Sequence, residues 1–138
     1  MMESSLLEKI GGYINGQWCN LHSERNQDVI NPANGDIVAR VPVMGRKETT
    51  QAIDAAAEAL KTPASIAQRS AWLSTLADHV TLHREELGRI ITHEHGKPWK
   101  EAQGEADYAA SFFRYYAGAV EHLKPKPLTE RPRGLNWT

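Results

Sequence analysis

A helix stop followed at once by a helix start divides the second half of this sequence. Gly96 is a natural left-handed end for a helix, because glycine reaches positive φ without a Cβ clash. Pro98 cannot continue that helix, but its fixed φ suits the first turn of a new one. The stretch from 94 to 98 therefore joins two predicted helices.

Apolar residues recur at steps of three and four on both sides of this stop. The earlier series predicts a long helix from about 66 to 95, and the later one predicts a helix from about 98 to 122. A shorter run that ends before Pro63 predicts a first helix. The apolar positions of the three predicted helices, in chain order, are Ala52, Ile53, Ala56, Ala57 and Leu60; Leu73, Leu76, Val80, Leu87 and Ile90; and Ala102, Ala106, Ala109, Phe113, Tyr116 and Val120.

Two short β-hairpins are expected before these helices. Asn15-Gly16 supplies the two positive-φ positions of a type I′ turn between β-forming residues. The run 31–35, which reads Asn-Pro-Ala-Asn-Gly, turns the chain between a short strand at Val29-Ile30 and a strand over 37–42. No near-continuous apolar β-run of the kind found in parallel sheets is present. We therefore expect a mostly helical chain whose helices lack a sheet to cover them and whose core is incomplete.

Charge and composition exclude several classes of protein. A formal net charge of −1 over 138 residues argues against nucleic-acid binding, which needs a basic excess. No apolar run approaches the roughly 20 residues that span a bilayer, and the first residues do not read as a secretory signal. The single cysteine excludes an internal disulfide framework and fits a reducing compartment, so a cytoplasmic location without membrane contact is expected.

Few residues of the chain carry obvious chemistry. Cys19 would need a nearby base to act as a nucleophile, and its place just after a hairpin favours a half-buried structural residue. His79 and His83 share a helix face at a spacing that can hold a metal, but no third ligand is evident and a structural role is favoured. A small metal-binding helical protein that also uses His93 and His95 stays open as an alternative.

Glu94 continues the apolar series of the long predicted helix and so falls at the end of its buried face. A carboxylate there has to be paired, hydrogen-bonded or bound to a cation, and oxygen ligands suit hard cations. On the residues alone, hydrogen bonds from backbone amides of the Gly96 turn are favoured over a cation. The sequence contains neither a phosphate-binding loop nor a dinucleotide-binding glycine motif.

Several blocks of the sequence, taken in order, resemble the amino-terminal part of the aldehyde dehydrogenase superfamily. The residues in several of these blocks are most similar to those of succinate-semialdehyde dehydrogenases, and the resemblance covers about residues 13 to 122. The blocks are Tyr13 to Trp18, Asn31 to Asp36, Val41 to Gly45, Ala52 to Ala56, Glu94 to Pro98, Gly104 to Phe112, and Arg114 to Gly118.

The resemblance implies a parent enzyme with an α/β fold that oxidises an aldehyde, such as succinate semialdehyde, to the carboxylate with NAD or NADP. The catalytic cysteine, glutamate and asparagine and the Rossmann-like sheet of such enzymes belong to segments that would follow this one. We therefore expect no catalytic or cofactor-binding residue here, no cofactor bound by this chain alone, and an inactive amino-terminal fragment.

Some site and domain assignments also follow from the resemblance. The carbonyls of Val29 and Ile30 together with Glu94 match a structural alkali-cation site. Tyr108 matches a position near the substrate tunnel, and core packing is an equal alternative for it. Residues 1–12 would form a flexible leader, 13–123 the amino-terminal part of the cofactor-binding domain, and 124–138 the start of the oligomerisation strands of a homo-oligomer. The alternative is a non-catalytic helical interaction or oligomerisation module.

Overall fold

The structure is a computed structural model and describes residues 4–7, 10–19 and 25–123. Two antiparallel hairpins precede a set of helices, which confirms a mostly helical chain with two short hairpins. The strands are β1 (Gly12–Ile14), β2 (Gln17–Cys19), β3 (Asn26–Ile30) and β4 (Ile37–Pro42). The helices are α1 (Arg46–Ala59), α2 (Ile66–Leu82), α3 (Arg84–His95) and α4 (Trp99–Ala119), with 3₁₀ turns at Ser5–Leu7 and Val120–Leu123.

The first hairpin has the turn that its sequence predicts. Asn15 and Gly16 have φ values of 50° and 78°, the two positive values of a type I′ turn. Tyr13 pairs with Trp18 across the strands, and their rings meet edge to face with centroids 5.2 Å apart. Because side chains alternate along a strand, these two aromatic residues share one face of the hairpin.

The second hairpin is longer than its sequence suggests. Strand β3 begins at Asn26, three residues before the predicted start at Val29, because backbone pairing with β4 extends to Pro42. The register shifts between Val29 and Ile30, and the buried residues of the pair, Val38 and Ala39, both lie on β4.

The single long helix predicted over 66–95 is wrong. Helix α2 ends at Leu82, and His83 (φ −95°, ψ 16°) caps both the end of α2 and the start of α3. His83 N–H still donates to His79 O, and His83 O accepts from Leu87 N–H, so the break costs little hydrogen bonding. Apolar spacing runs through the break and hides it, and both α2 and α3 pack against α4.

Small side chains on α4 form the seam of the helical layer. Ala102, Ala106, Ala110 and Ala117 are buried there, and Ala77 of α2 is completely inaccessible to solvent. Gly88 is the buried residue of α3, and a Cβ built on it would lie 3.0 Å from Gln103 Cγ and 3.3 Å from Gln103 N. Alanine and glycine therefore let the helix backbones approach closely, and the contact is made by backbone and methyl groups rather than by large side chains.

Polar contacts tie the same helices together at their edges. Ser70 Oγ on α2 donates to Ala117 O, at 2.8 Å. Arg84 Nε on α3 lies 2.8 Å from both carboxylate oxygens of Asp107 on α4. Arg114 Nη2 donates to Thr81 Oγ1 at 2.9 Å. The Arg84 pair is partly exposed, so about 0–1 kcal/mol is its expected contribution to stability.

The outer faces of the helices are apolar and open to solvent. Helix α1 has no buried residue, so its predicted apolar face, including Ile53 and Leu60, is uncovered. Tyr116, assigned to the buried stripe of α4 from its spacing, is 54% exposed, because Ala117 takes the seam position. Among the described residues, no large side chain is fully buried. None of the described helices is long and apolar enough to cross a membrane.

A leucine at Gly88 is expected to destabilise the fold by about 1–3 kcal/mol, because the added side chain has to push α3 away from Gln103. Gly104→Leu is the matched control. Its Cβ meets no atom within 4 Å, so the gain in helix propensity should stabilise by up to about 1 kcal/mol. Urea unfolding followed by far-ultraviolet circular dichroism measures both, and equal effects of the two substitutions would contradict the seam.

Candidate functional site

The turn after β3 is held by its own side chains and backbone. Asn31 N–H donates to Asp36 O, and Gly35 N–H donates to Asn31 O, both at 2.8 Å. Asn31 Oδ1 accepts from Ala33 N–H at 2.9 Å, and Asn34 Oδ1 accepts from Asp36 N–H at 3.0 Å. Asparagine side chains stabilise such turns because they accept from backbone groups two residues ahead. The segment that follows Ile30 therefore has a defined shape.

This turn contacts the end of α3. The side-chain amide nitrogen of Asn31 lies 3.5 Å from His93 Nδ1. Gly96, at φ 76° and ψ 12°, ends α3 in the left-handed conformation that its sequence predicts. A Cβ on Gly96 would lie 3.0 Å from Pro32 Cγ, so glycine serves both the backbone conformation and the close approach. The structure thus brings the end of β3 beside the helix end that carries Glu94.

Glu94 itself is exposed, so its assignment to the end of a buried face is wrong. Leu87 and Ile90, the earlier members of the same series on α3, are half-buried, whereas Glu94 lies in the exposed last turn of the helix. Two residues earlier on α3, Thr92 Oγ1 is buried and has no hydrogen-bond partner within the described part of the chain. A buried hydroxyl without a partner costs about 1–3 kcal/mol.

Lys97 and Glu105 form an ion pair across the turn between α3 and α4. The hydrogen bond from the Lys97 ammonium, together with its charge, lowers the pKa of Glu105 below the ordinary 4.5, and the charge of His95 acts in the same direction. The sequence patterns described above do not single out this pair. The sequence feature that could have indicated the pair is the placement of opposite charges, Lys97 and Glu105, close to the short turn between two helices.

The described histidines form no cluster with three metal-binding side chains. His83 Nδ1 lies 3.4 Å from Glu86 Oε2 at the start of α3, whereas His93 and His95 lie in its last turn. Across residues 4–7, 10–19 and 25–123, no three His, Cys, Asp or Glu side chains are placed to hold a metal ion. The structure therefore gives no support to a metal-binding helical protein.

The other two candidate residues lie apart from this turn. Cys19 Sγ donates to the carbonyl of Gly12, its cross-strand partner, at 3.3 Å, and the thiol is half-buried, which agrees with a structural role. Tyr108 is 62% exposed on α4 and meets Phe112 edge to face with ring centroids 4.7 Å apart. It belongs to an uncovered aromatic stripe of α4 that also contains Phe112, Tyr115 and Tyr116.

Comparison with known proteins gives one consistent result. Residues 18–137 match the sequence profile of the aldehyde dehydrogenase family. The chain is 43% identical over 124 residues to the mitochondrial succinate-semialdehyde dehydrogenase of Arabidopsis thaliana, which is 88% of this chain and 24% of the relative. It is 42% identical over 106 residues to the NADP⁺ succinate-semialdehyde dehydrogenase GabD of Escherichia coli, which is 75% of this chain and 22% of the relative.

Solved structures agree with these relatives. An oxidoreductase from Marinobacter aquaeolei superposes with a TM-score of 0.88 at 43% identity, over 96% of this chain and 28% of that one. A betaine aldehyde dehydrogenase from Staphylococcus aureus in complex with NAD⁺ superposes with a TM-score of 0.74 at 29% identity, over 79% of this chain and 23% of that one. The chain thus spans about a quarter of the length of the proteins that it matches.

The Lys97–Glu105 pair is expected to make stability depend on pH. Because the folded-state pKa of Glu105 is lowered, its stabilising contribution is complete above the ordinary value of 4.5 and is lost as pH falls through the lowered value. Urea unfolding of the unsubstituted chain and of Glu105→Gln should therefore differ at neutral pH and converge at acid pH. Asp54→Asn removes an exposed carboxylate that has no ion pair in the described chain, and it should show no such convergence.

Proposed function

The chain belongs to the aldehyde dehydrogenase family, and we propose that it is the amino-terminal portion of an NAD(P)-dependent enzyme that oxidises a semialdehyde to its carboxylate. Succinate semialdehyde is the substrate that the relatives favour, because the two described above carry that name. In such an enzyme the bound cofactor accepts the hydride, and this portion provides scaffold around the reaction centre.

The uncovered apolar faces of α2 and α4 are the observation that supports this proposal. Trp72 on α2 is 61% exposed and Tyr115 on α4 is 69% exposed, and the stripe of α4 continues through Tyr108 and Phe112. Exposed apolar patches of this extent are typical of surfaces that another part of a protein covers. A segment that spans a quarter of the family's length would present such faces to the remainder of the chain.

The chain's own residues do not form a dehydrogenase centre under this proposal. Cys19 is the single cysteine, and its Sγ is committed to the Gly12 carbonyl on a hairpin edge. A nucleophilic thiolate requires a neighbouring base or a helix amino terminus. We therefore expect the 138-residue polypeptide alone to be inactive towards aldehydes, and to acquire activity only with the remainder of such an enzyme.

The domain assignments belong to the same proposal. Residues 1–12 would be a leader, and residues 13–123 the helical and hairpin part of a cofactor-binding domain. Residues 124–138, which lie outside the described residues, would begin the oligomerisation strands of a cytoplasmic homo-oligomer. Within the leader, Ser4 Oγ donates to Glu86 Oε1 at 2.5 Å, so its described part contacts the start of α3.

An alkali-cation site at the end of β3 is the second element of the proposal. The donor set fits a hard cation, because the carbonyls of Val29 and Ile30 and the carboxylate of Glu94 are all oxygen ligands. The contacts of Asn31 with His93 and of Pro32 with Gly96 support it, since they hold the two segments together.

A non-catalytic interaction module is the second candidate function. The same exposed aromatic stripe on α4 favours it, because such a face also fits a separate partner chain. The two candidate functions differ in the partner. The dehydrogenase portion has to bind the remainder of the enzyme, whereas the interaction module binds a separate chain.

Reconstitution tests the proposal. This chain is mixed with the E. coli succinate-semialdehyde dehydrogenase from which the matching amino-terminal segment has been deleted, and NADPH formation from succinate semialdehyde is followed. We expect activity from the mixture and none from either part. Phe112→Asp should reduce it at least tenfold, because a charge on the covered face costs several kcal/mol, whereas Lys100→Asp on the same helix should not.

Tyr108→Ala serves as the test of the tunnel assignment in this mixture. If Tyr108 lies near the path of the aldehyde, its replacement by alanine should raise KM for succinate semialdehyde more than KM for NADP⁺. If the two parts bind each other but the mixture shows no turnover, the result would contradict the proposed dehydrogenase function and favour the interaction module.

The cation site predicts a dependence on potassium. The reconstituted mixture should unfold about 2 °C higher in potassium chloride than in choline chloride of equal ionic strength, because a cation bound only to the folded state stabilises it. Glu94→Gln should abolish that difference, whereas Glu101→Gln, a neighbouring glutamate on α4, should keep it. Equal midpoints of the unsubstituted protein in the two salts would exclude the site.

A further inference from the structure

A cleft of about 400 Å³ lies between the β1–β2 hairpin and α1. Small-ligand pockets usually measure about 300–1,000 Å³, so the cleft has the size for a compact molecule or one long side chain. It lies on the hairpin and α1, apart from the turn that holds Glu94 and from the aromatic stripe of α4.

The cleft has an apolar floor. Ile14 and Cys19 form the hairpin side of the floor, and the exposed Asn15 and Trp18 also line the cleft. Ala55 meets them from α1, and all three floor residues are half-buried. Half-buried apolar groups around an open cleft can still gain from contact with an apolar stem.

The rim of the cleft is polar and carries one charge. Gln51 and Asp54 are three residues apart on α1 and so share a helix face, and Gln17 adds a second amide from β2. Asp54 is the charged side chain of the lining, and within the described residues its carboxylate makes no hydrogen bond or ion pair. The cleft therefore combines an apolar floor with one carboxylate and two side-chain amides that have no partner in the part of the chain that the structure describes.

We infer that this cleft binds a primary ammonium or guanidinium group carried on a short apolar stem. The stem would lie on Ile14, Cys19 and Ala55, and the cationic head would donate to the Asp54 carboxylate and to the amide oxygens of Gln17 and Gln51. Anions are disfavoured, because the lining offers a carboxylate and no cation. A free alkylamine and a lysine or arginine side chain of another polypeptide share this chemistry.

The single cysteine lets occupancy be measured directly. Cys19 lies on the floor, so a bound ligand should shield its thiol from an aromatic disulfide reagent whose product is coloured. We expect n-butylammonium to slow the reaction at least twofold at saturation, whereas n-butanol and butyrate at the same concentration should leave the rate unchanged.

Asp54→Asn should abolish the protection, and Glu58→Gln on the same helix should preserve it, with circular dichroism as the check that both variants fold. The comparison of thiol reaction rates with the ammonium, alcohol and carboxylate ligands uses the unsubstituted chain. Its result therefore tests the proposal even if a variant fails to fold. Protection by n-butylammonium assigns the site to free amines. Protection only by a lysine-containing peptide assigns it to a partner chain, and equal rates with every ligand overturn it.

Discussion

The close approach of helix backbones at α4 is the constraint on which the rest of this structure depends. Alanine at 102, 106, 110 and 117 carries no side-chain atom beyond Cβ, and Gly88 lacks even that on α3. Dispersion contacts at such distances are individually weak but numerous. Both α2 and α3 pack against α4 along this seam.

A seam of methyl groups also explains why so much apolar surface stays exposed. Methyl groups bury little area, and at about 25 cal/mol per Å² they contribute less than large side chains would. The large residues lie on the opposite faces, where α2 and α4 present tryptophan, tyrosine and phenylalanine to solvent. This division, with small residues inward and aromatic residues outward, suits a layer enclosed on both sides. That arrangement agrees with a chain that matches a quarter of the family's length.

The geometry of the candidate cation site depends on two local turns rather than on packing of the core. The Asn31 turn fixes the path of the chain after β3, and the left-handed Gly96 ends α3 where that turn can touch it. Neither turn needs the aromatic faces to be covered. Ion pairs such as Arg84 with Asp107 and Lys97 with Glu105 then stabilise the ends of the helices, each by a small amount because they are solvated.

The sequence alone determined the elements whose causes are local. The type I′ turn at Asn15-Gly16, the stop at Gly96 and the antiparallel hairpins depend on neighbouring residues, and the structure agrees with each of them. The family resemblance depends instead on the order of blocks along the chain, and the family match agrees with it. Tertiary structure decided the break at His83, the exposure of Glu94 and Tyr116, and the Lys97–Glu105 pair. Apolar spacing reports which residues share a helix face. It does not report against which face a neighbouring helix packs, because that packing depends on how closely the two helix backbones can approach.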